Sequence, residues 1–316
     1  MGAMFVASNV AALALAAPAQ SFGYQALPDP QSPANPFIYL AMVLAFTAVI
    51  LVIVKLKKEA AVKWIILGAM AVTMVYVYSL PLTFLLLALQ DPALLNLTAL
   101  TTAQAELVAT LYWTAFGLAV VIAAALTYLL IRFPEWYVVD AVGVSSAAGV
   151  TAILGISFGI LPALILLAIL AGYDAWAVYH TKHMIALADA VTGQRLPVLL
   201  VVPKSRDYSF LTQKPLREQI AKGEEREAFF MGLGDIIIPG ILAVSAFSFL
   251  PFAVGPLGIG RPLLVALGSL CGALAGYAVL MRYVAKGRPQ AGLPLLNGGA
   301  IGGFALTYLL VYGWPF

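Results

Sequence analysis

Residues 160–179, ILPALILLAILAGYDAWAVY, and residues 229–249, FFMGLGDIIIPGILAVSAFSF, decide the fold. Each is an apolar run of about 20 residues, the length a helix needs to cross about 30 Å of hydrocarbon. Each also carries one acid, Asp174 in the first and Asp235 in the second. A carboxylate at the centre of a membrane helix costs about 2.5–3.5 kcal/mol on the insertion scale. An acid kept at that cost marks a functional site.

The remainder of the chain agrees with a membrane setting. It is 63% hydrophobic and 10% charged, with a mean hydropathy of +0.99, whereas a soluble domain carries about 25% charged residues. Apolar runs at 4–18, 37–54, 64–89, 103–131, 137–156, 160–179, 229–250, 263–284 and 293–312 predict an all-α, polytopic membrane protein with nine spans. The runs are continuous rather than alternating, which argues against a β-barrel. They form a single membrane domain: six spans in 1–179, a polar loop at 180–228, and three spans in 229–316. The first run is the shortest. Its start, Met1-Gly2-Ala3-Met4, lacks the basic region of a secretory signal, so it is read as a retained helix. Pro81 is expected to kink or end the third span. The single cysteine, Cys271, lies in an apolar run and allows no internal disulfide.

Basic residues orient the spans. With the N-terminus on the inner side, every Lys and Arg of the 17 except Arg261 falls in an inner connection or, for Arg282, at the inner end of a span. The C-terminus is then outside, and the loop at 180–228 is cytoplasmic. The net charge of +3 reflects this orientation. No basic stripe interleaved with aromatics is present, so no nucleic-acid partner is expected. The inner loop divides into a short amphipathic interfacial helix, 180–193, and the proline-bounded run Arg195–Pro203, whose Val and Leu residues predict a strand.

Counted along their spans, Asp174 lies about 9 Å and Asp235 about 12 Å from the inner ends. Both acids are thus expected in the inner third of the membrane on consecutive helices. Two carboxyls at close range cannot both ionise, and such a pair holds one proton between them. That state suits peptide hydrolysis: the ionised acid takes a proton from water, and the protonated one hydrogen-bonds the carbonyl under attack. It also suits a proton- or ion-coupled transporter that uses the acids as a relay, although neither an inverted repeat nor a pair of interrupted helices is evident. A non-catalytic scaffold explains neither acid.

The residues beside the acids weigh between these readings. Tyr173-Asp174 and Gly232-Leu233-Gly234-Asp235 resemble the YD and GxGD signatures of the presenilin and signal peptide peptidase families of intramembrane aspartyl proteases. Ala291-Gly292-Leu293-Pro294 resembles their PAL motif at Leu293 and Pro294, with Ala291 in place of Pro and Gly292 in place of Ala. Pro294, lacking a backbone donor, is a natural helix start that leaves 290–293 non-helical. The inside-to-outside polarity favours presenilin, because signal peptide peptidases run the opposite way. Short loops make the chain most similar to a prokaryotic, archaeal presenilin homologue in a cell membrane. The resemblance implies that Asp174 and Asp235 are catalytic. It further implies that Tyr173, Gly232, Leu233, Gly234, Gly292, Leu293 and Pro294 contact substrate. The implied partners are transmembrane helices of other proteins, with no cofactor; accessory subunits and homo-oligomers stay open. An unwound substrate is expected to pair with an extended edge at 196–202 or 291–293, so proline at Leu199 or Val201 should impair cleavage.

Other polar residues read as structural. Asp140 and Glu106, near span ends, are expected to be solvated. His180 and His183 lack the companions of a metal site, and no metal is expected. Gly268, Gly272 and Gly276 form a packing ridge, and Gly298, Gly299, Gly302 and Gly303 read the same way. Asn96-Leu97-Thr98 matches a glycosylation sequon by pattern alone.

Overall fold

The computed structural model describes residues 1–56, 59–95, 101–181, 199–205, 208–209, 228–255, 258–285 and 290–313. Most of them are helical. Among the described residues there are nine α-helices: α1 (Gly2–Ser21), α2 (Asn35–Lys55), α3 (Glu59–Gln90), α4 (Thr102–Arg132), α5 (Trp136–Ser157), α6 (Ile160–Trp176), α7 (Gly234–Phe249), α8 (Arg261–Ala285) and α9 (Leu293–Tyr312). A π-turn, Ala177–Thr181, continues α6. Seven helices are long and apolar enough to cross a membrane, while the apolar stretches of α2 and α7 are shorter. Each predicted span thus finds a helix. Pro81 does not end α3, which runs through it to Gln90.

Span seven differs from expectation. Residues Ala228–Gly232 form strand β2, and the helix begins only at Gly234. β2 pairs antiparallel with β1 (Leu199–Pro203), the strand anticipated in the Arg195–Pro203 run. An apolar run of this length does not by itself separate strand from helix. Phe229, Phe230 and Met231 continue the apolar pattern of the helix, and Gly232 divides the two elements. Of the predicted interfacial helix at 180–193 only His180 and Thr181 are described, and they belong to the π-turn; residues 182–193, with His183, and the Asn96 sequon lie outside the described residues.

The helix α5 sits at the centre. Gly, Ala and Ser crowd its faces, so neighbours approach closely, and it packs on α1, α3, α7 and β1. A side chain at Gly149 would overlap Val77 of α3, and one at Gly155 would overlap Val244 of α7. The helix α1 belongs to this core: Phe5, Ala12 and Ala16 are fully buried, and Ser8 Oγ donates to the Val144 carbonyl of α5 at 3.2 Å. On the opposite side α8 and α9 pack backbone to backbone. A Cβ at Gly272 would run into the Gly299 carbonyl, and one at Gly276 into that of Leu295. This bears out the glycine ridge. Gly298 and Gly302 meet nothing within 4 Å, so only Gly299 and Gly303 of that quartet serve it. Large apolar side chains such as Trp113, Val121 and Leu310 are exposed on outer faces, as a protein solvated by lipid requires.

Candidate active site

The helices α6, α7 and α9 pack on one another, and this brings both acids and the third motif together. Asp174 lies near the C-terminal end of α6, half-buried. Its Oδ2 accepts the Leu293 N–H at 3.0 Å, with Gly292 the residue before it. This donor belongs to the start of α9, where first-turn N–H groups lack partners within the helix. Asp174 therefore caps α9 from a different helix. The positive end of α9 favours a negative charge at that place. Pro294 has no N–H to satisfy and fits the first turn.

Asp235 occupies the first turn of α7 rather than a point two turns inside it. Its expected depth of eight helical residues is corrected by the strand that precedes it: five extended residues, about 16 Å of chain, lead up to the acid. Gly232, at the end of β2, lies beside the Asp235 carboxylate: a Cβ there would sit 3.6 Å from Oδ2. Gly292 lies against the same group, since a Cβ there would sit 3.4 Å from Asp235 Oδ1 and 3.5 Å from Leu280. One two-residue segment, Gly292–Leu293, thus touches both acids, which are close enough for the charge of Asp174 to act on Asp235. Asn297, one turn into α9, donates to the Leu167 carbonyl of α6 at 2.9 Å and holds the two helices in register.

The other expected contact residues divide. Tyr173 is half exposed and its ring lies 6.4 Å from that of Trp176. Gly234 is exposed, with open space where a side chain would stand. Leu233, by contrast, is buried and faces α5: a Cβ at Gly143 would lie 3.3 Å from it. Asp140 corrects a further expectation. It is not solvated but 4% exposed, and its Oδ1 accepts the Val201 N–H of β1 at 2.8 Å. Sequence reasoning placed Asp140 at a helix end and had no means of knowing that a strand lies across that end.

Two carboxyls gathered at one helix start, inside a bundle with apolar outer faces, make a candidate site for acid-pair chemistry. Comparisons with known proteins give the class. The model for signal-peptide peptidase, presenilin aspartyl protease matches residues 2–312. A solved structure of a presenilin family intramembrane aspartate protease in space group C222 is 35% identical. The match covers 98% of each chain with a TM-score of 0.63. A structure of a presenilin family intramembrane aspartate protease in space group P2 is 34% identical over 98% of this chain and 96% of that one, with a TM-score of 0.61. A comparison with curated proteins gave no match. The chain belongs to the signal-peptide peptidase and presenilin family of aspartyl proteases. It is a multi-pass membrane protein and an intramembrane aspartyl protease, and the transporter reading is not favoured.

Proposed function

We propose that Asp174 and Asp235 are the catalytic pair and that the substrate is a transmembrane helix of another protein. The observation that carries this is the shared anchor: Leu293 donates to Asp174 while its neighbour Gly292 lies beside Asp235. In the reaction one acid is ionised and takes a proton from the attacking water. The other donates a hydrogen bond to the scissile carbonyl and then its proton to the departing amine. The assignment of roles within the pair is symmetric and is left so.

All nine helices cross the membrane in this reading, with the N-terminus inside and the C-terminus outside, in a prokaryotic cell membrane. Positive charge on the inner connections supports it. The inner sheet supplies what a helical substrate lacks. A peptide bond inside a helix is shielded by its neighbours, so the substrate must unwind before attack. In an antiparallel pair, backbone groups alternate between facing the partner strand and facing away. By that alternation the Gly232 N–H faces away from β1, and Gly232 itself lies beside the Asp235 carboxylate. An extended substrate segment running beside β2 therefore arrives at the acids.

The test is direct. Purified protein is incubated with a model transmembrane peptide, and products are read by mass spectrometry. Cuts are expected with the native chain and none with Asp174→Asn or Asp235→Asn; cuts persisting in either variant would remove that residue from the pair.

A further inference from the structure

We propose that Asp140 is a positioning residue: through Val201 it clamps the β1–β2 pair at one register beside Asp235, and so sets which substrate bond is cut. The inference rests on the reading above, that the sheet aligns substrate. A lone carboxylate inside a helical core is costly unless it has a strong partner. Asp140 has one oxygen on the Val201 N–H, while Oδ2 has no hydrogen-bond partner among the described residues. Its one hydrogen bond among the described residues thus goes to a backbone donor 61 residues away, with the Met1 amino group near enough to act on its charge.

That donor is well chosen to report register. Val201 stands opposite Phe230, and because its N–H goes to Asp140 it points away from β2. A slip of one residue would turn this N–H inward and flip every side chain of the strand. A slip of two in one direction would present Pro203, which has no N–H to give. The clamp therefore holds Val201 and rejects both slips. Its surroundings fit the same strand position. Val201 is fully buried and packs with Val139 and Val142 of α5, on either side of Asp140. Gly143, three residues on and on the same helix face, makes room for Leu200: a Cβ there would lie 2.8 Å from Leu200 Cδ2. The same glycine receives Leu233, which precedes the acid-bearing turn. From Asp140 the path runs through Val201 to β1, across the ladder to β2, and through Gly232 to Asp235.

The experiment maps cleavage positions in a model transmembrane peptide by mass spectrometry, with rates corrected for folded protein. Asp140→Ala is expected to spread the cuts to neighbouring bonds. It should also lower kcat/KM about ten- to a hundred-fold, the worth of a hydrogen bond to a charged group. Asp140→Asn keeps an oxygen that accepts the same N–H and is expected to restore the native pattern. Val201→Pro removes the bond from the other side, should reproduce the spread, and carries the test if Asp140→Ala does not fold. The double variant should be no worse than either single one. Native cut positions in both Asp140→Ala and Val201→Pro, or a spread in Asp140→Asn equal to that of Asp140→Ala, overturns the proposal. A further variant, Val202→Pro, removes an N–H that faces β2 and so breaks the ladder itself. If folded Val202→Pro cleaves normally, the alignment reading fails. If it is inactive while Asp140→Ala is unchanged, only the clamp fails.

Discussion

Asp174 accepts the Leu293 N–H from the start of α9, and Asp235, in the first turn of α7, lies beside Gly232 and Gly292. Their positions are therefore set by where two helices start. Gly292 is the residue most exposed to this constraint. A methyl group there meets Asp235 Oδ1 and Leu280 at ordinary contact distances, so Gly292→Ala is expected to fold and cleave with a reduced kcat. Gly292→Val places a second and third carbon against the carboxylate, and a displacement of about 1 Å at a reacting group costs about a hundred-fold in rate. Single-turnover cleavage rates of the two variants check the order. Residue identity made the acids conspicuous, since charge in an apolar run is visible in any reading of the chain. The same reading misjudged Asp140, because a carboxylate near a helix end looks solvated until the strand over it is known.

At the scale of elements, α8 and α9 form the tightest backbone contact, and it stands directly behind the site. Gly276 touches the Leu295 carbonyl one residue after Pro294. Gly276→Val is expected to push the start of α9 away from α8 and to destabilise the fold by about 1–3 kcal/mol, the usual cost of overpacking. Denaturant titration of the detergent-solubilised protein measures that loss. Cleavage should fall further than stability, because Leu293 moves with the helix. The glycine spacing was legible beforehand. The boundary between β2 and α7 was not, since Phe229–Met231 satisfy both patterns and only pairing with β1 selects the extended form. That pairing also sharpens the expected effect of proline in the strand. By the alternation of the ladder, Leu199 and Val201 face away from β2, whereas Leu200 and Val202 face it.

For the whole molecule the decisive question is which side of the membrane holds the sheet. The exposed Ser205, just after β1, should lie inside, and the exposed Phe252, between α7 and α8, outside. With Cys271 replaced by Ser, a membrane-impermeant thiol reagent added to intact cells should label Phe252→Cys and leave Ser205→Cys unlabelled until the cells are opened. The reverse pattern would invert the proposed orientation. The enzyme should also show a bell-shaped dependence of kcat on pH, because a pair sharing one proton is inactive when it holds two or none. Initial rates across a buffer series measure this.

Hydropathy alone carried the helical, multi-pass character of the chain, because the need to satisfy every backbone group in lipid leaves few other forms for such runs. Two out-of-place acids and their glycine and proline neighbours carried the chemistry. What packing alone decided is how distant segments meet. Asp174 reaches α9 across 119 residues, and Asp140 reaches β1 across 61. Hydrogen bonds between remote backbone and side-chain groups leave no periodicity in a sequence, so the anchor at Gly292–Leu293 and the clamp at Val201 became visible only once the helices were assembled.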